Sequence, residues 1–190
     1  MISAAIIHCP KSAERAVNVM RLLEALPTAR VVLDQGDGAK TMLNGSRTGC
    51  WPLARRAWEA HSAESTHHLV LEDDAELCED FEAHLSSTIE QAPGAVLSLF
   101  RGRRDCSVGT VMPVHLIAPF LTWTRESRHG ERLMPHHDHM ITEACIELGW
   151  TRLYTAPSLV EQRQFPSLLG HDHISATWFE RSPSRVALEP

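Results

Sequence analysis

The opening of the chain limits the fold more than any other stretch. SAAIIHC (residues 3–9) is a short apolar run suited to a buried strand. SAERAVNVMRLLEAL (12–26) has helical spacing, with Ser12 placed as amino cap and Pro27 just past the end. ARVVLDQGDG (29–38) is a second strand running into a turn. Strand, helix and strand in so short a length predict a crossover connection with its two strands parallel, the unit from which α/β sheets are built.

The same alternation continues. Trp51, Ala54, Ala57 and Trp58 form the apolar side of a helix after Gly49, and HHLVLE (67–72) is a strand. A helix is expected around CEDFEAHLSSTIEQA (78–92), and AVLSLF (95–100) is a further strand. A basic loop, RGRRDCSVG (101–109), leads to a strand near GTVMPV (109–114) and a helix near HLIAPFLTW (115–123). HHDHMITEACIELG (136–149) is one more helix, and TRLYTAPSLVEQ (151–162) is strand then loop. The tail from Arg181 has no core pattern and is expected to be mobile. The expectation is a single α/β domain over residues 1–190, with a mostly parallel central sheet flanked by helices.

Bulk properties exclude several classes. A length of 190 residues suits one domain, and 43% hydrophobic with 22% charged residues is a globular balance. The net charge of −6 argues against a large general cationic surface for nucleic acid, although a local basic groove is still allowed. The five cysteines are scattered and never spaced C-x-x-C, so neither a disulfide framework nor a four-thiolate zinc site is expected, and the reading is a reduced, cytoplasmic setting. The N-terminal apolar run is too short for a signal peptide. The later run VMPVHLIAPFLTW is broken by Pro113, His115 and Pro119, so no membrane contact is expected.

Chemistry concentrates in HHLVLEDDAELCEDF (67–81), where an apolar strand ends in Glu72, Asp73 and Asp74. Adjacent carboxylates repel and must be hydrated, paired or metal-bound. Strand alternation would put Glu72 and Asp74 on one face and Asp73 on the other. Two carboxylates on one face suit a hard cation such as Mg²⁺ or Mn²⁺, with positions left for water and phosphates. The plainer reading makes the acids a favourable charge at the start of the following helix.

LVLEDDAELCEDF resembles the apolar strand, acidic triplet and helix of GT-A glycosyltransferases, with E-D-D in place of D-x-D. PSLVEQRQFPSLLGH (157–171) is similar to a P-S-L-V-(D/E)-H-R...S-L-(V/L)-G-H segment of small phage or prophage members of that group. The resemblance runs over about residues 31–173 and implies a GT-A-like, Rossmann-like domain. It implies Asp74 as principal metal ligand, Glu72 and Asp73 toward the ribose or metal-bound water, and Asp34 near the base or ribose. His171, with His173 as substitute, would complete the metal or diphosphate site. This chain departs from the pattern after Glu161, where Gln162 stands in place of the usual histidine; Arg163 remains able to meet diphosphate.

Inverting transfer needs a carboxylate to take the acceptor's proton, and Asp138 in MPHHDHMITEAC is the candidate, with an amino-cap role as its alternative. His136 and His139 are compatible with shared metal coordination, although neighbouring positions on a helix diverge. Arg101, Arg103 and Arg104 form a cationic loop suited to an anionic acceptor or simply to solvent. The resulting expectation is a Mn²⁺- or Mg²⁺-dependent enzyme moving a sugar from a nucleoside diphosphate donor, of the UDP-sugar kind, to a glycan or a hydroxymethylated DNA base. The rivals are metal-dependent phosphoester or nucleotidyl chemistry and a non-catalytic nucleotide-binding module.

Overall fold

The computed structural model describes residues 1–10, 12–34, 51–102, 108–126, 137–165 and 175–190. The opening crossover forms as its pattern requires. β1 (Ile2–His8) and β2 (Arg30–Leu33) pair in parallel, from Ala5 opposite Arg30 to His8 opposite Leu33, with α1 (Ala13–Ala25) between them. Ser12 caps α1, its side chain accepting a hydrogen bond from the Arg15 backbone N–H. The chain continues through α2 (Trp51–Glu59), β3 (His67–Glu72), β4 (Ala75–Leu77), α3 (Phe81–Gln91), β5 (Val96–Ser98) and β6 (Gly109–Pro113). It ends with α4 (Val114–Glu126), α5 (His137–Leu148), β7 (Arg152–Ala156), β8 (Val160–Gln162) and β9 (Ala187–Glu189).

The main sheet has seven strands in the order β2-β1-β3-β6-β5-β7-β9, and β4 pairs with β8 in a separate two-stranded ribbon. β1, β2, β3, β5 and β7 share one direction, while β6 runs against β3 and β5, and β9 runs against β7. The sheet is therefore mixed rather than mostly parallel. Every residue of β6 is buried, and a strand buried on both faces carries no alternation from which its direction could be read.

Two layers of helix cover the sheet because successive strand residues point to opposite faces. Leu69 and Leu71 of β3 belong to one cluster with Val19 and Leu22 of α1 and Phe81 and Leu85 of α3. Val70 of β3 lies in the other, with Trp51 and Trp58 of α2, Phe120 of α4 and Met140 of α5. Among the described residues, no helix is long and apolar enough to cross a membrane.

Two boundaries differ from the pattern reading. Before α3 the chain makes β4, three residues long and thus too short to show a period, so the acid triplet does not abut the helix. The tail is not loose: β9 pairs with β7 from Tyr154 opposite Glu189 to Ala156 opposite Ala187, and Val186 is buried. One inward valine and three paired residues hold that edge, too few for a hydrophobic pattern.

Candidate active site

Open α/β sheets bind ligands beyond the carboxyl ends of their parallel strands, and the buried charges of this chain gather there. β3 ends at Glu72 and the chain turns through Asp73 and Asp74. Strand alternation stops with the strand. Asp73 and Asp74 do not face opposite ways but both reach the guanidinium of Arg15 on α1.

Each aspartate is 3% exposed, and their partners differ. Asp73 Oδ1 accepts from Arg15 Nη1, while Asp73 Oδ2 lies 2.8 Å from both His8 Nδ1 and the Cys9 backbone nitrogen. Facing a carboxylate, His8 Nδ1 is the donor. Asn18 of α1 donates to the carbonyls of Asp73 and Ala75 at 3.0 and 2.8 Å, fixing the turn. Asp74 Oδ2 accepts from Arg15 Nη2 at 3.0 Å and from Gln162 Nε2 at 3.2 Å. Asp74 Oδ1 is buried and accepts no hydrogen bond among the described residues.

These contacts set the charges. Burial raises the pKa of Asp74 and outweighs the opposing pull of Arg15, which Asp74 shares with Asp73. Burial would lower that of Arg15, but Asp74, Asp73 and Glu72 together overcome it and raise it, so the guanidinium stays charged. Arg15 also lies 5.9 Å from the centre of the Phe165 ring.

Asp34, buried just beyond β2, is tied to the cluster through Cys9: its backbone N–H donates to His8 O at 2.8 Å and its Oδ2 accepts from Cys9 Sγ at 3.4 Å. Asp34, Asp73 and Asp74 are thus brought together. Glu72 is half-buried at the end of β3. On the other side of Asp74, the Arg163 backbone N–H donates to Asp74 O at 2.7 Å, and the Arg163 side chain faces Glu76 at 3.8 Å. Glu76, Glu161, Gln162, Arg163, Gln164, Phe165 and Ser175 line a cleft of about 410 Å³ beside the cluster.

Asp138 occupies the first turn of α5. Arg152 donates to Ser98 Oγ at 3.0 Å and also to Thr142 Oγ1, one turn beyond Asp138. This sets the amino-terminal half of α5 beside the carboxyl end of β5. His171, His173, His136, Arg103 and Arg104 lie outside the described residues. No three His, Cys, Asp or Glu side chains among the described residues cluster as a ready metal site.

Arg15, His8, Asn18 and Cys9 carry no motif in the sequence that marks them as parts of the site. Arg15 is 58 positions from Asp73, and only the buried face of α1 marks it. Gln162 is legible as a departure from the resembled segment, and its side chain donates to Asp74 Oδ2. In comparisons with known proteins, no family model and no curated protein matches the chain.

Proposed function

We propose that the chain transfers a sugar from a nucleoside diphosphate donor of the UDP-sugar kind to an acceptor hydroxyl, with a divalent cation at Asp74. The observation that carries this reading is Asp74 Oδ1, a buried carboxylate oxygen that accepts no hydrogen bond among the described residues, next to Gln162 on the wall of the neighbouring cleft. A buried acceptor left unmatched is costly unless something else satisfies it. Hard oxygen donors suit Mg²⁺ or Mn²⁺, which commonly take one or two protein carboxylates and fill the remaining positions with water and substrate phosphates. Asp74 would hold the cation, with His171 as a further ligand and Glu72 turned toward the ribose or a metal-bound water; Asp73, both of whose oxygens have internal partners, would not bind the cation. When bound, the cation neutralises charge on the departing diphosphate.

The remaining chemistry is the chain's own. Asp73, gripped by His8, Cys9 and Arg15, fixes the turn that presents Asp74. Asp34 reaches the ribose or base from the end of β2, and Arg163 meets the diphosphate from the cleft wall. Asp138 takes the proton from the acceptor hydroxyl as it attacks the anomeric carbon, with inversion of configuration.

Incubation with a panel of nucleotide sugars and Mn²⁺ tests the reading. Slow donor hydrolysis is expected, falling about a hundredfold or more in Asp74→Ala. Binding that ignores metal and yields no turnover would instead indicate a nucleotide-binding module. Failure to bind any nucleoside diphosphate sinks the proposal.

A further inference from the structure

Beyond the acid cluster, an exposed aromatic ring stands near the carboxyl ends of β5 and β7. Trp178 is 52% exposed, while the next residue, Phe179, packs against the core. The backbone around it is firmly held. Ala176 N–H donates to Glu161 Oε1 at 2.9 Å, Thr177 N–H to Arg101 O at 2.6 Å, and Trp178 O accepts from Ser158 N–H at 2.8 Å. Ser175, three positions earlier, lines the cleft. The indole N–H already donates to Glu180 Oε1 at 2.9 Å, so the ring is oriented and its polar edge is engaged. What it offers a ligand is its face.

An indole face attracts the weakly positive C–H groups of a sugar ring, and it also stacks on a nucleobase. The surrounding charge decides between them. Arg101 pairs with Glu189, Arg181 with Glu76 at 2.6 Å, and Arg163 faces the same Glu76 at 3.8 Å. Glu161 and Glu180 add two further carboxylates. Strands of nucleic acid are held largely by cations that neutralise phosphates, and among the described residues this rim sets Glu76, Glu161, Glu180 and Glu189 against Arg101, Arg163 and Arg181, so carboxylates outnumber arginines there.

We infer that Trp178 is the stacking platform of an acceptor subsite for a neutral glycan, whose sugar ring lies on the indole at the rim of the cleft. The acceptor role, though not the binding itself, rests on the transferase reading above.

The test is titration of the intact chain with short neutral gluco- and N-acetylgluco-oligosaccharides and, in parallel, with a short single-stranded oligodeoxynucleotide, followed by tryptophan fluorescence and calorimetry. Trp178→Gln and Trp178→Phe are compared, with circular dichroism confirming that each is folded. Oligosaccharide binding should weaken about tenfold in Trp178→Gln and stay within about threefold in Trp178→Phe, which keeps a stacking face. Three results overturn the inference: no oligosaccharide binding, binding indifferent to Trp178, or salt-sensitive binding of the oligonucleotide alone through Trp178. Donor hydrolysis by the unaltered chain is read separately, and its absence counts against the transferase reading rather than against the glycan subsite.

Discussion

Arg15 is the residue on which the acid cluster depends, because it is the buried cation shared by Asp73 and Asp74. Replacing it with Met keeps much of the stem's volume but leaves two buried carboxylates without their counter-charge. Loss of one partner of a buried pair costs about 3–5 kcal/mol, so Arg15→Met should lower unfolding free energy by about that amount in urea titrations; a change under about 1 kcal/mol would show that Asp73 and Asp74 are not held by it. A second buried group gives a pH signature. His68 of β3 has Nδ1 2.8 Å from Ser3 Oγ and Nε2 2.9 Å from Ala57 O, and burial pushes its pKa down to about 4 from 6.5. Between those values the unfolded chain binds a proton that the folded chain refuses. This contribution to stability is therefore whole above the unfolded value and is lost as pH falls toward the folded one. It should amount to about 2 kcal/mol between about pH 7 and about pH 5. His68→Gln should flatten that part of the stability curve, as read by urea titration at the two pH values.

At the scale of elements, β6 enters the sheet at a close join. A methyl group on Gly109 would lie 3.1 Å from Leu71 Cδ2 and 3.1 Å from Val160 Cγ2, so β3 and β8 press on the same point. Gly109→Ala should cost about 1–3 kcal/mol through overpacking, measured as a lower urea midpoint with unchanged slope. The elements legible in the sequence are those whose signal is local. The opening crossover, the α2 face with Trp51 and Trp58, and the strand before the acids each carry their own period. Elements without a local signal depend on distant partners: β4 and β8 are three residues each and exist because Ala75 meets Gln162 and Leu77 meets Val160. The site divides the same way. The acid triplet is contiguous and visible, whereas its pairing with Arg15 and His8 depends on a fold that brings α1 and β1 to the end of β3.

For the molecule as a whole, the edge strand β9 closes one side of the sheet, with Val186 buried beside it and Leu188 packed on the core. Removing residues 184–190 would bare the hydrogen-bonding edge of β7, and an open edge invites pairing with another chain. The truncated chain should melt lower and form concentration-dependent oligomers in light scattering; a monomer of unchanged melting temperature would show that the edge needs no cover. The reversed strand β6 has a different kind of consequence. It stands between β3, which delivers Asp73 and Asp74, and β5, beside which Asp138 and Trp178 are placed. Neighbouring strands are spaced by about 4.8 Å, so β3 and β5 are held about 10 Å apart. β6 thus acts as a spacer bar of fixed width. It keeps the anionic half of the edge and the aromatic half at a constant stride, so that side chains on either half can change without altering the distance between them.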